Sequence, residues 1–148
     1  MTKLADPGAY RLAVDIPVRF RDTDGMGHVN NAVYLTYLEI ARERYWREIF
    51  NLTDYRRVDL IVARIEIDFR SQATVGETIV VGIRASAIGR RSFDFTYEGW
   101  ERSGRRLILS ARSVQAMYDY ELLATKEVSE EVRRGLLSFE APGSIILR

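Results

Sequence analysis

Ten consecutive residues, Asp22-Thr23-Asp24-Gly25-Met26-Gly27-His28-Val29-Asn30-Asn31, bring together two carboxylates, an imidazole and two primary amides. His28 is the only histidine in the chain, and cysteine is absent. Thiolate nucleophiles, disulfides, thiolate metal clusters and multi-histidine metal sites are therefore excluded. Any scheme that needs an imidazole must find it here, beside two side chains that can act as general base or nucleophile. Aspartates in such a stretch also form turns and cap helices, and composition alone makes that the default for Asp22 and Asp24.

The flanking elements present this segment as a loop. Before it, Val14, Ile16, Val18 and Phe20 alternate with Asp15, Pro17, Arg19 and Arg21, predicting a strand with one buried face. Pro17 assigns that strand to an edge or a bulge. After it, Ala32 to Phe50 contains neither Gly nor Pro. Tyr34, Leu38, Ala41, Tyr45 and Ile49 recur there at helical spacing, widened by Leu35, Tyr37 and Trp46, predicting one long, mostly buried helix with Asn30 or Asn31 as its N-cap. Thr36, Glu39, Glu43 and Arg47 form its polar stripe.

A connector over Asn51 to Asp59 leads into strands. Ile65, Ile67 and Phe69 share one face, as do Ile79, Val81, Ile83, Ala85 and Ala87, and then Phe93, Phe95 and Tyr97. Turns fall at Ala73 to Glu77 and Ile88 to Arg91, and Ser103-Gly104 marks a hairpin into a strand over about Arg105 to Tyr118. Both faces of that strand are mixed, which predicts a central position. A short amphipathic helix over about Lys126 to Leu137 precedes the tail. Without repeats or linkers, residues 1–148 read as a single domain. The fold class is α+β: a curved antiparallel sheet of about five strands, joined by hairpins, around one long central helix. Its uncovered edges predict self-association as a homodimer or homotetramer.

Of 148 residues, 22 are Lys or Arg and 21 Asp or Glu. The resulting net charge of +1 argues against nucleic acid as a partner. No apolar run approaches the roughly 18 residues of a membrane span, and a cytoplasmic protein is the expectation.

Segment 18–45, VRFRDTDGMGHVNNAVYLTYLEIARERY, resembles the hot-dog fold acyl-CoA thioesterases of the 4-hydroxybenzoyl-CoA thioesterase-like group. The matching residues are Asp22-x-Asp24, the run Gly27 to Asn31, and a helix beginning Ala32-Val33-Tyr34-Leu35 with Tyr37-Leu38-Glu39 and Ala41-Arg42. The element order agrees along nearly the whole chain. The resemblance implies hydrolysis of an acyl-CoA to free acid and CoA, with no metal and no cofactor beyond the CoA of the substrate. A thiol of pKa near 8.5 leaves readily as thiolate, so such a reaction needs an activated water or nucleophile and a polarised carbonyl more than a strong acid.

By position in the motif, Asp24 is the nucleophile or general base, and Asp22 is a structural residue tied to backbone N–H groups of the turn. The backbone N–H near Asn31, at the positive end of the helix dipole, polarises the thioester carbonyl. His28 either orients Asp24 or water, hydrogen-bonds near the thioester, or supports the loop. Plant acyl carrier protein thioesterases share this loop but carry an asparagine where this chain has Met26, so their full Asp, Asn, His network does not transfer. Met26 and Tyr34 are expected to line the acyl pocket, and Glu39 to be a solvated or paired surface carboxylate. Arg90 and Arg91, and likewise Arg105 and Arg106, at turns on or near strand ends, are candidates for the CoA phosphates. Two alternatives remain: an acyl carrier protein thioesterase, and a noncatalytic acyl-binding member of the fold.

Overall fold

The computed structural model describes residues 3–51, 54 and 58–148. A 3₁₀ turn (Pro7–Ala9) precedes β1 (Leu12–Pro17), and a second (Phe20–Asp22) leads through the loop to α1 (Val33–Phe50). Four strands follow, β2 (Leu60–Phe69), β3 (Thr78–Ile88), β4 (Ser92–Glu101) and β5 (Leu107–Asp119), and then β6 (Ala124–Thr125), α2 (Glu130–Phe139) and β7 (Ile146–Leu147). The main strands pair in the order β1-β3-β4-β5-β2, with β6 on β5 and β7 on β3. An antiparallel five-strand sheet with one long helix is the element set of the hot-dog fold. The connector expected over 51–59 lies mostly outside the described residues.

The order places β1 at an edge, with Pro17 as its last residue opposite Thr78. A proline has no N–H for a further rung, which fits the end of an edge strand. β5 is internal, as its mixed faces predict. One expectation is corrected: β2 pairs with β5 and not with β3, so residues 70–77 are a crossover and not a hairpin turn. Alternation reports which face a strand buries but not which neighbour it pairs with.

The chain divides into two compact units. The first comprises Met1–Tyr45, Ile67–Ile83 and Tyr97–Ala111. In it Tyr37, Leu38, Ala41 and Tyr45 form the buried stripe of α1, and Ile79, Val81 and Ile83 the buried face of β3. Leu35, expected to widen the helix stripe, is instead 42% exposed. Phe20 departs further: the chain leaves β1 after Pro17 and turns, so Phe20 falls out of the alternation and is 85% exposed. Gly82 is required by packing, since a Cβ there would sit 2.6 Å from the Tyr10 ring, which itself packs on Trp100.

The second unit comprises Trp46–Glu66, Arg84–Thr96 and Arg112–Arg148. Trp46 stacks on Phe93 at 5.9 Å, and Phe93 meets Phe95 edge-on. Ser129 caps α2 by accepting from the Val132 N–H at 3.2 Å, which starts this helix a turn later than the sequence suggests. Its apolar face buries Val132 and Leu136. Asp94 is buried between two guanidinium groups, with Arg112 and Arg148 each at 2.7 Å. The buried Glu140 accepts from the Ala85 N–H at 2.9 Å.

Candidate active site

The loop, the start of α1 and the segment after β2 all belong to the first unit. Beyond Pro17, the Val18 N–H donates to the Glu77 carbonyl at 3.0 Å, and the chain then turns over Phe20–Asp22. Asp22 closes that turn. Its Oδ2 accepts from the Arg19 N–H at 3.0 Å and from the Tyr37 hydroxyl at 2.8 Å, while Oδ1 is 2.9 Å from Arg19 Nη2. The structural role expected of Asp22 is thus filled by one backbone N–H and two side chains. Burial pushes its carboxyl up, but the hydrogen bonds from Arg19 and Tyr37 outweigh this and hold it below the ordinary range. The Tyr37 hydroxyl is pushed up, first by burial and then by that carboxylate.

The Asp22 carbonyl also accepts from the Asn30 N–H at 2.9 Å, and a bridge joins Thr23 to Val29. Between these clamps the segment folds on Asp24, whose N–H donates to the His28 carbonyl at 2.8 Å. Gly27 takes φ +82°, a conformation that favours glycine. Asp24 Oδ1 accepts from the Met26 N–H at 2.9 Å and more distantly from the His28 N–H at 3.4 Å. Asp24 Oδ2 accepts from nothing among the described residues. Local turn chemistry therefore fixes the half-buried side chain and leaves one oxygen available.

Asn30 is the cap of α1. Its Oδ1 accepts from the Ala32 N–H and its carbonyl from the Val33 N–H, both at 2.9 Å. The intervening Asn31 N–H has no acceptor among the described residues, at the end of the helix where the macrodipole is positive.

A cavity of about 520 Å³ opens here, and Asp24, Met26, His28, Asn31 and Tyr34 all line it. Tyr34 is buried against Phe69, ring centres 5.6 Å apart, and burial pushes its hydroxyl up. Met26 is 77% exposed. His28 Nδ1 is buried and has no hydrogen-bond partner among the described residues. A proton on that nitrogen would lack an acceptor, which favours the tautomer carrying it on Nε2.

Sequence reasoning missed the opposite wall, formed by Phe69 at the end of β2 and by Arg70, Ser71 and Gln72 of the crossover. Their only signal was position, immediately after an alternating strand. The crossover also pairs with the loop, through the bridge between His28 and Thr74 and the Val29 N–H to Ala73 carbonyl bond of 2.9 Å.

The remaining candidates lie outside the cavity lining. Arg90 and Arg91 occupy the β3–β4 turn of the second unit, where Arg90 pairs with Glu127 at 2.7 Å and Arg91 donates to the Thr125 carbonyl at 3.0 Å. Arg106 pairs with Glu77 at 2.9 Å, and Glu39 is exposed on α1. Among the described residues no three His, Asp or Glu are grouped to hold a metal ion, and no helix is long and apolar enough to cross a membrane.

The thioesterase-like superfamily matches this chain over residues 18–136. Uncharacterized protein YsmA of Bacillus subtilis (strain 168) is 28% identical over 89 residues, a match that spans 60% of either protein's length. A thioesterase of Thermus thermophilus, solved in complex with coenzyme A and Zn, is 29% identical. That alignment covers 89% of this chain and 96% of the other, with a TM-score of 0.81. A 1,4-dihydroxy-2-naphthoyl-CoA thioesterase of Synechocystis shares the fold at 18% identity and a TM-score of 0.78, over 88% of this chain and 98% of its own.

Proposed function

The chain belongs to the thioesterase-like superfamily, and we propose that within it this protein hydrolyses an acyl-CoA thioester to free acid and CoA, with Asp24 as the reacting carboxylate. The observation that supports this most is the pairing of two open groups on one cavity: an unpartnered carboxylate oxygen on Asp24 and an unpartnered N–H at Asn31. One can activate or deliver the attacking oxygen, and the other can receive the charge that develops on the carbonyl oxygen.

As general base, Asp24 takes a proton from water as the water oxygen bonds to the thioester carbon. The tetrahedral oxyanion is stabilised at the Asn31 N–H, and collapse breaks the C–S bond, the departing sulfur taking the proton from Asp24 so that CoA leaves as thiol and the carboxylate is restored. As nucleophile, Asp24 forms a mixed anhydride with loss of the thiolate, and water then cleaves the anhydride to return the carboxylate. His28, with its proton on Nε2, donates a hydrogen bond into the cavity in either route. Met26 and Tyr34 contact the acyl group.

The CoA-bound Thermus relative supports CoA as the carrier. Arg70 lines the cavity and is the cation proposed for its phosphates, held among the described residues only by the exposed Asp68 at 3.4 Å, whereas Arg90 and Arg91 lie outside the lining and would have to release Glu127 and Thr125. Exposed Phe20, Met26 and Phe69 support assembly as a homodimer or homotetramer, and the setting proposed is the cytoplasm.

The test is thiol release from a panel of aliphatic and aromatic acyl-CoAs, alongside the same acyl groups on acyl carrier protein. Wild type should turn over the CoA esters preferentially, and Asp24→Asn should lose about 10²–10⁴-fold in kcat. A wild type that releases no thiol from any ester, or an Asp24→Asn variant with full activity, overturns the proposal.

A further inference from the structure

The crossover 70–77 supplies one wall of the cavity and the backbone partners of His28 and Val29, yet most of it lies outside the strand ladder. Backbone bonds from the Arg70 and Ser71 N–H groups to the Ile108 carbonyl, at 2.7 and 3.2 Å, tie its start to β5, and further along an ion pair and the bonds that radiate from it hold the segment. Arg106 Nη2 reaches both the Glu77 carboxylate and the Gln72 carbonyl at 2.9 Å, and Arg106 Nε reaches the Ser71 hydroxyl at 3.3 Å. Glu77 Oε1 in turn accepts from the Thr74 N–H at 2.9 Å and from its hydroxyl at 3.1 Å. Ser71 donates to the Leu107 carbonyl at 2.7 Å, which anchors the start of the segment to β5.

Both members are shielded, with side chains 33% and 23% exposed, unlike the open Arg102–Asp15 pair of the same unit at 66% and 50%. The donors and acceptors divide along the segment: Arg106 grips Ser71 and Gln72, Glu77 grips Thr74, and between them lies Ala73, whose carbonyl holds the Val29 N–H. His28 bridges to Thr74 and accepts from the Asp24 N–H, so the chain of bonds runs from the ion pair to the reacting carboxylate in three steps.

We propose that Arg106 and Glu77 are positioning residues for the site: their fork fixes the crossover, and the crossover fixes the backbone at His28 on which Asp24 folds. This rests on the thioesterase reading for its kinetic consequence, and on the hydrogen-bond geometry alone for its structural one. A guanidinium is needed because one planar group must satisfy a hydroxyl, a carbonyl and a carboxylate at once, which an ammonium cannot do in the same directions. Displacements well under 1 Å at a reacting group are enough to slow a positioned reaction severalfold or more.

The experiment compares Glu77→Gln, Arg106→Lys and Arg102→Ala with wild type, at a temperature where all are folded. Steady-state kinetics on the best acyl-CoA are measured together with amide hydrogen exchange of the loop. Glu77→Gln and Arg106→Lys should each lower kcat about tenfold with KM changed less than twofold, and should speed exchange at the Val29 amide at least tenfold. Arg102→Ala should change neither. Unchanged Val29 exchange in both variants overturns the proposal, whether or not wild type proves to be a thioesterase. Faster exchange with unchanged kcat overturns it as well, because the pair would then hold the segment without serving the reaction. If wild type releases no thiol, the thioesterase reading fails by itself, and Val29 exchange alone decides whether the pair sets the loop.

Discussion

Asp24, in the loop before α1 of the first unit, and Asp94, on β4 in the second, have opposite surroundings. Both oxygens of Asp94 are occupied, with Arg148 on Oδ1 and Arg112 on Oδ2, and the residue is 2% exposed. Asp24 is half-buried and, among the described residues, is held only through Oδ1 by backbone N–H groups and has no cation on it. A saturated carboxylate is committed to the fold. One that is oriented on a single oxygen keeps the other for a reacting atom. Asp22, two residues away along the same loop, resembles Asp94 more than its neighbour, so sequence proximity to the site does not predict the role.

The sharpest way to break this contrast is to neutralise each aspartate in turn. Asp24→Asn should abolish turnover by the factor given above while moving stability by less than about 1 kcal/mol, since only turn hydrogen bonds are altered. Asp94→Asn should do the reverse. It unbalances two guanidinium groups that are still 38% and 46% exposed and can turn to water, so the loss is about 2 kcal/mol and not the 3–5 of a fully enclosed pair. Urea melts and kcat per folded molecule read both outcomes, and a kcat loss in Asp94→Asn without a stability loss would erase the distinction.

Asp22 gives a smaller effect with a pH signature. Its carboxyl is held below its unfolded value of about 3.9, so its contribution is fully present above that pH and disappears as pH falls through the folded value. Tyr37→Phe removes one of the bonds that hold it down. The variant should be about 1 kcal/mol less stable at pH 7, and the difference should shrink as the melts are repeated at pH values descending below the ordinary carboxylate range. The smallest effect belongs to the second unit's exposed Arg90–Glu127 pair. Glu127→Gln should leave the urea midpoint close to that of wild type, and closer still in high salt.

The loop was legible because its parts are contiguous. A turn former at Gly27, a cap at Asn30 and the carboxylate between the clamps act over two to four residues, within reach of pattern reasoning. The buried stripe of α1 and the faces of β3 and β4 were legible for the same reason, since periodicity is local. Phe20 failed because alternation says nothing of where a strand stops: the Arg19–Asp22 bonds turn the chain before Phe20 can take its place on the buried face. The pairing of β2 with β5, and the cavity wall at Arg70 to Gln72 that follows from it, depend on partners far along the chain. Arg106 shows the limit plainly. As one of two arginines at a strand start it looked like a phosphate ligand, and only the distant Glu77, Gln72 and Ser71 reveal what it holds.

The bridge between His28 and Thr74 has a kinetic meaning as well. The chain must make α1, β2 and part of the crossover before those two residues can meet, whereas β3 and β4 need only a three-residue turn. Contacts that close long stretches of chain lose entropy before they return any stability, so they form late in folding. The contact between the Asp24 loop and the crossover is thus expected to form after the β3–β4 turn.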